Sequence, residues 1–493
     1  MKFVRDYVII KFVLKGVDSL NRSSGVLLHV SSLPGEYGCG SLGNNAKEFI
    51  DFLRDSGFSY WQVLPFCLPD EFNSPYKSYS AFSLNPFFID LPQLFEEGLI
   101  TKEELEKEKQ DSPYLCEFDK LEQRIKTLKK ASSRFDITKS DAFFASHPHS
   151  EKYCEFMARR SANAKKPWQE WKSDVIDEEE LRLRKFTEYT FFSQWLEIKE
   201  YANSKGIKII GDIPIYVSLD SADVWENPEL FLLDKRYQPT SVAGVPPDYF
   251  SEDGQLWGNP LYNWREMKKD SYKWWRDRIE FMCELFDGVR IDHFRGLESF
   301  FSIPAKDTTA KNGKWKKGPG MSLIKEIKKV AGDKLIIAED LGDITPEVER
   351  LVENSSFPGM RVLQFGFLGD SNSPHLLHNY KNHSVAYTGT HDNNTLLGYV
   401  WELSEEKRNT LLNYFGYTGQ NWDECYDTIL RQMLASSAGL VIFPIQDLLK
   451  YGSDTRLNTP GSCDKNWAFR ITREQLDSVD KNKFKYWNSL YSR

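Results

Sequence analysis

The sequence predicts an α/β protein built on a (β/α)₈ TIM barrel with inserted subdomains. Three features of the 493-residue chain carry this expectation. Eight short runs of apolar and β-branched residues end in polar or turn residues, as strands buried on both faces do. Most of these runs are separated by stretches of helical period. Three of them end in acidic residues, and barrel active sites form at the C-terminal ends of the strands.

The runs are 25–30 (GVLLHV), 60–66 (YWQVLPF), 208–217 (KIIGDIPIYV), 288–294 (GVRIDHF), 334–341 (KLIIAEDL), 360–367 (MRVLQFGF), 384–392 (SVAYTGTHD) and 439–447 (GLVIFPIQD). Helical spacing is clearest at 46–55 before the second run and at 321–331 before the fifth. About 140 residues separate the second and third runs, and their later part, 101–204, is rich in Lys, Glu and aromatics at helical spacing. The expectation is an insertion over 67–207 that includes a helical subdomain at about 101–204, with its charged faces turned to water. Between the third and fourth runs, 218–270 is rich in Pro, Gly and Trp. That composition predicts an ordered loop excursion over the catalytic face. In residues 1–20, Arg5, Asp6, Lys11 and Lys15 interrupt the apolar pattern. The segment therefore fits neither a signal peptide nor a membrane helix and is expected to be an N-terminal extension.

Composition narrows the function classes. Lys and Arg number 64 against 72 Asp and Glu, for a net charge of −8. This excludes a strongly basic nucleic-acid footprint and offers nothing to an anionic membrane, so neither partner is expected. The 7 cysteines are odd in number and scattered, with no C-x-x-C. A disulfide framework or a cysteine zinc site is not expected, and a reducing cytoplasm is. The 14 Trp, 23 Tyr and 33 Phe residues are mostly expected in the core, although flat aromatic faces also suit the C–H faces of sugars.

The chemistry concentrates at the strand ends. The fourth run ends in Arg290-Ile-Asp292-His293, the fifth in Ala338-Glu339-Asp340, and the seventh in Thr388-Gly-Thr-His391-Asp392. In a closed barrel these ends point into one mouth. Like charges meeting there raise at least one pKa and leave a protonated acid beside an ionised carboxylate, the pairing that glycosidic cleavage uses. Arg290 lies two residues before Asp292 on the same strand face and would hold it ionised, which suits a nucleophile. Glu339 follows the apolar run LIIA, where desolvation would favour a general acid that later acts as base. Asp392 would stabilise positive charge at the anomeric carbon, while His293 and His391 would donate to sugar hydroxyls. Two other readings exist: salt bridges that close the barrel ends, and a metallohydrolase centre. The H-x-H expected of many such centres occurs only at His147–His149, inside the helical stretch, where a surface turn is expected.

These residues lie within a longer resemblance. The segments 23–43 (SSGVLLHVSSLPGEYGCGSLG), 73–91 (NSPYKSYSAFSLNPFFIDL), 211–225 (GDIPIYVSLDSADVW), 242–264 (VAGVPPDYFSEDGQLWGNPLYNW), 286–296 (FDGVRIDHFRG), 336–342 (IIAEDLG), 388–395 (TGTHDNNT) and 456–462 (RLNTPGS) resemble the amylomaltases, the 4-α-glucanotransferases of glycoside hydrolase family 77. The resemblance covers 21–493 and implies an inserted barrel that moves α-1,4-glucan segments by a retaining mechanism. It implies maltodextrins, starch or glycogen fragments as donors, glucose among the acceptors, and no cofactor. It assigns Asp292 as nucleophile, Glu339 as acid/base and Asp392 as transition-state stabiliser. Arg290, His293, His391 and Asp212 would surround the reacting sugar. Asp248, Gln255 and Trp257 would belong to a loop over the glucan, Tyr76 would be an aromatic platform, and Asn458 a further sugar contact. Where many α-amylases carry Asn-His after the third strand's Asp, this chain reads Asp212-Ile-Pro-Ile, which removes one histidine and makes calcium less expected. The chain ends soon after the eighth run, so no C-terminal β-sandwich is expected. An α-1,4-glucan hydrolase, or a glucan-binding protein without turnover, would use the same cleft.

Overall fold

The computed structural model describes residues 20–493 apart from 70–72, 248–251, 418, 420 and 463–464. The expected N-terminal extension therefore lies almost wholly outside the described residues. Eight parallel strands close into a barrel. In chain order they are β1 (Ser23–Leu27), β2 (Tyr60–Gln62), β3 (Lys208–Ile213), β6 (Gly288–Ile291), β9 (Leu335–Ala338), β10 (Gly359–Val362), β11 (Ser384–Tyr387) and β12 (Leu440–Pro444). The ring closes where β1 pairs with both β12 and β2. Among the described residues no β-sandwich follows β12: the chain continues through short helices at Ile445–Leu448, Arg473–Ser478 and Lys481–Leu490.

All eight expected runs are strands, but each strand ends several residues before its apolar run does. Beyond β10, for example, Leu363–Gly366 turns helical while Leu363 and Gly366 stay buried. The segments at the mouth are covered by other segments, so hydrophobicity continues after pairing stops. Strand alternation then places the functional side chains. Ile210, Ile337, Val362, Tyr387 and Ile442 form one buried cluster, whereas Ile209, Val289, Ile291, Ile336 and Val441 belong to the larger core that includes the helices. Residues two apart share a face. Asp212 therefore stands above Ile210 and Glu339 above Ile337, at the end of the inward-facing column. Gly211 permits the close packing on the other face, since a Cβ there would meet the Phe286 ring at 2.2 Å.

The excursion between β3 and β6 is more ordered than a loop. It contains β4 (Ser241–Val245) and β5 (Gln255–Pro260), which join β7 (Ser299–Pro304) and β8 (Lys314–Lys317) in a four-stranded sheet of order β5-β4-β7-β8. Within the expected loop, β4 and β5 escape notice because they carry Gly244, Gly258 and Pro260, so no clean alternation marks them. Main-chain pairing makes the sheet, helped at Gly244, where a Cβ would lie 2.1 Å from the Gln255 carbonyl oxygen.

Between β2 and β3 lie helices Leu121–Arg134, Asp141–Ser146, Pro148–Ala162 and Glu178–Ser204, with shorter turns before them. Their charges are not all solvated. Arg124 and Glu108 pair at 2.9 Å with side chains only 2% exposed, and Glu188 is buried, accepting from the Leu84 amide at 3.1 Å. His147 and His149 are not a surface turn. They meet Glu284 and Asp277 of the barrel helix Lys273–Leu285, each at 2.9 Å. Desolvation would lower the His149 pKa, but Asp277 and Glu226 raise it to about 9. Arg124, Glu108 and Glu188 are buried, whereas the two histidine pairs stay partly exposed where the helices meet the barrel.

The 27-residue helix Glu178–Ser204 joins the two regions. Trp195 is fully buried, donates to the Leu285 carbonyl at 2.9 Å, and packs edge-on to Phe66 with ring centroids 4.6 Å apart. Trp195→Ala is expected to lower unfolding free energy by about 3–5 kcal/mol, read by urea denaturation, because a large cavity would open where helix and barrel meet. A loss under about 1 kcal/mol would contradict this packing.

Candidate active site

Arg290 organises the mouth of the barrel. Its Nη1 donates to both oxygens of Asp212, at 2.9 and 2.7 Å, and its Nη2 donates to Asp292 Oδ1 at 2.8 Å. The guanidinium is 5% exposed. Register explains the first contact, because Asp212 on β3 pairs directly with Arg290 on β6. Alternation explains the second. Tyr76 completes the cluster by donating its hydroxyl to Asp212 Oδ2 at 2.7 Å. Burial pushes Asp212 up to about 6, against Arg290. Burial opposes the Arg290 charge, but Asp212 and Asp292 hold its pKa well above the usual value.

Glu339 lies directly after β9. Its Oε2 accepts from the His293 amide at 2.6 Å and its Oε1 from the Leu341 amide at 3.0 Å. The main chains interlock as well, with the Glu339 amide on the Ile291 carbonyl and the Phe294 amide on the Glu339 carbonyl, both at 3.1 Å. Glu339 is thereby fixed beside the Asp292–His293 turn. Burial is the main force on its carboxyl, Arg290 opposes it, Asp292 adds to it, and the pKa stands at about 8. His293 adopts a left-handed backbone (φ 49°), which aims its amide at Glu339. Burial lowers its imidazole to about 4, and its Nε2 is buried without a hydrogen-bond partner among the described residues.

Asp392 enters from β11. Its Oδ1 accepts from Asn458 Nδ2 at 2.6 Å, and His391 Nε2 lies 3.4 Å from its Oδ2. His391 stacks on Tyr76 with ring centroids 5.1 Å apart. The 388–396 loop is held from below by Asp447, which accepts from the Thr388 hydroxyl and from the Leu396 amide.

Asp292, Asp392, Tyr76, His391, Gln255, Trp257 and Asn458 line one cavity of about 320 Å³. Arg290, Asp212, His293 and Glu339 join it through the contacts above. Trp257 meets the His293 ring edge-on at 4.9 Å, which brings the four-stranded sheet over the mouth. Asp248 lies outside the described residues. Sequence reasoning missed Tyr216 and Trp467, which also line the cavity. Tyr216 lies in the segment GDIPIYV, on an apolar run that reads as core. Trp467 follows the last motif by a few residues, and only its ring contacts with Tyr76 (5.8 Å) and His391 (5.7 Å) reveal it. Among the described residues, no group of three or more His, Cys, Asp or Glu is placed to hold a metal ion, and no helix is long and apolar enough to cross a membrane.

A sequence profile of the 4-alpha-glucanotransferases matches residues 28–476. The chain belongs to this family. A 4-alpha-glucanotransferase of Clostridium butyricum is 42% identical over 491 residues, covering 94% of this chain and 100% of that protein. One from Thermus thermophilus is 41% identical, covering 93% and 96%. The solved amylomaltase of Streptococcus agalactiae in complex with acarbose superposes with a TM-score of 0.92 at 38% identity, over 96% of this chain and 100% of that one. The amylomaltase of Corynebacterium glutamicum shares the fold, with a TM-score of 0.79 at 18% identity.

The state of Glu339 makes stability depend on pH. The folded carboxyl keeps its proton to about pH 8, whereas the reference glutamate releases it near 4.5. The folded state thus binds the extra proton between these values. The group's stabilising contribution is complete below the lower one and is lost as pH rises through the upper one. Glu339→Gln is neutral throughout. Its melting temperature relative to wild type is expected to climb between about pH 4.5 and 8, as scanning calorimetry at several pH values would show. A pH-independent difference would contradict the assignment.

Proposed function

We propose that this protein is a retaining transferase that moves α-1,4-glucan segments from a donor maltodextrin to the 4-hydroxyl of an acceptor glucan or glucose. One observation carries the reading: Glu339, buried so that its carboxyl is pushed up to about 8, is fixed by two backbone amides beside an Asp292 anchored on Arg290. Retaining cleavage uses such a pair, with carboxyls about 5–5.5 Å apart. The same reading treats 21–493 as one catalytic domain in which 67–207 and 218–270 are insertions flanking the groove.

The donor lies across the cavity, its sugar faces against Tyr76 and Trp257. Asp292 attacks C1 as the bond from C1 to the leaving oxygen breaks, and Glu339 gives that oxygen its proton. A covalent glycosyl-enzyme remains. Glu339, now a base, takes the proton of the acceptor 4-hydroxyl, which attacks C1 and frees Asp292. Asp392, positioned by Asn458, faces the positive charge that develops at C1. The buried Nε2 of His293, without a partner among the described residues, supports a contact to a hydroxyl of the reacting sugar. Gln255 and Trp257 bring the four-stranded sheet to the groove, a position suited to keeping water from the intermediate.

Incubation with maltotriose is expected to give glucose together with a ladder of longer maltodextrins. Glucose and maltose alone, with rising reducing ends, would instead identify a hydrolase. Asp292→Asn should lower turnover by ~10⁴-fold or more, and activity should survive EDTA. The wild-type rate should fall above about pH 8 as Glu339 loses its proton. A rate that stays level past that pH would place the acid elsewhere.

A further inference from the structure

Cys39 and Cys116 are 77 positions apart in sequence, yet their sulfurs lie 3.0 Å from each other. Both are buried, at 2% and 4% exposure. The separation is within about 1 Å of a disulfide bond length. The backbones on either side are already tied together. The Glu117 amide donates to the Gly38 carbonyl at 2.6 Å, and the Gln110 amide to the Glu36 carbonyl at 2.9 Å. Tyr37 bridges Lys109 in antiparallel fashion. The two thiols therefore sit in a backbone hydrogen-bonded frame that holds their sulfurs close.

A third segment closes this frame. The Cys116 amide donates to the Ala468 carbonyl at 2.7 Å, and the Arg470 amide to the Tyr114 carbonyl at 3.0 Å. Leu115 bridges Phe469. Arg470 is 1% exposed. Its Nε donates to the Leu33 carbonyl at 2.8 Å and its Nη1 to Gln110 Oε1, whereas its Nη2 is buried without a hydrogen-bond partner among the described residues. The charge of Arg470 acts on the Cys116 thiol in the direction of the thiolate, as a smaller effect than burial. Burial works the other way on Cys116, raising its thiol well above the usual range. Oxidation here is accordingly slow and calls for a small oxidant. Trp467, three residues before Arg470, lines the catalytic cavity.

We propose that Cys39 and Cys116 form a redox-modification site, in which a hydroperoxide converts the pair to a reversible disulfide that fastens the wall behind Trp467. One thiolate attacks the terminal oxygen of hydrogen peroxide. The O–O bond breaks, giving a sulfenic acid, and the departing hydroxide takes up the thiol proton as water. The sulfur of the second cysteine then attacks the sulfenic sulfur, the S–O bond breaks, and a second water leaves. Overall two thiols lose two electrons and two protons and one peroxide is reduced to two waters. Dithiol reductants reverse the bond by exchange.

The test is exposure of the reduced full-length protein to hydrogen peroxide for hours, followed by thiol blocking, non-reducing digestion and mass spectrometry. The expected product is a linked peptide pair containing Cys39 and Cys116, with two fewer titratable thiols than the 7 of the reduced, denatured chain. Oxidised wild type should melt at least ~2 °C higher than reduced. Amide exchange should slow in peptides spanning 34–40, 109–117 and 467–471, and dithiothreitol should abolish both effects. Cys39→Ala and Cys116→Ala should show neither response. Sulfinic acid on either cysteine with no linked pair, linkage to another cysteine, or a linked pair with unchanged melting and exchange would each overturn the proposal. The peptide mapping on wild type stands even if a variant fails to fold.

Discussion

The active-site arrangement depends on one buried guanidinium. Arg290 binds two carboxylates from different strands, Asp212 through two short contacts and Asp292 through one. Breaking a buried charge network of this kind by removing one partner leaves an uncompensated charge, which costs about 3–5 kcal/mol. The network is therefore a constraint on the whole mouth. It links the paired positions of β3 and β6, holds Asp292 at the cavity, and draws in Tyr76, on which His391 stacks.

The same network divides the carboxyls into unlike states. Arg290 gives Asp292 a direct charge partner. Glu339 is held by amides alone, is more deeply buried, and retains its proton to about pH 8. Burial thus keeps Glu339 an acid, while Asp292 is placed by its contact with Arg290. Asp392 is different again. It is 45% exposed at its side chain and oriented by a neutral amide, which suits a group that must face a changing charge on the substrate. The four-stranded sheet adds the other wall of the groove, so the barrel supplies the acids and the excursion supplies Gln255 and Trp257.

Much of this was legible in the residues themselves. Strands buried on both faces leave runs such as LIIA and GLVIF that mark all eight barrel strands. The acids stand out because they interrupt apolar runs at their ends. The pairing of Arg290 with Asp292 follows from a spacing of two. What the residues do not reveal depends on contacts distant in sequence. The bidentate contact to Asp212 requires the β3–β6 register. Trp467 reaches the groove only because three segments at 31–40, 109–117 and 467–471 interlock. In the sheet of β4, β5, β7 and β8, the strands β4 and β5 carry glycine and proline, and the apolar cluster of Val242, Phe301 and Ile303 forms only once β4 meets β7. Buried ion pairs such as Arg124–Glu108 were hidden for the same reason, because a charged helix face reads as solvated until its partner is located.

The division of labour between Asp292 and Glu339 is tested most directly by intact-mass and peptide mapping of Glu339→Gln after reaction with α-maltosyl fluoride, a donor whose leaving group needs no proton. The account predicts that this variant accumulates a glycosyl ester on the peptide containing Asp292, because the base that completes transfer has been removed, while wild type turns over without accumulation. An unmodified variant, or a glycosyl group on any other residue, would contradict it.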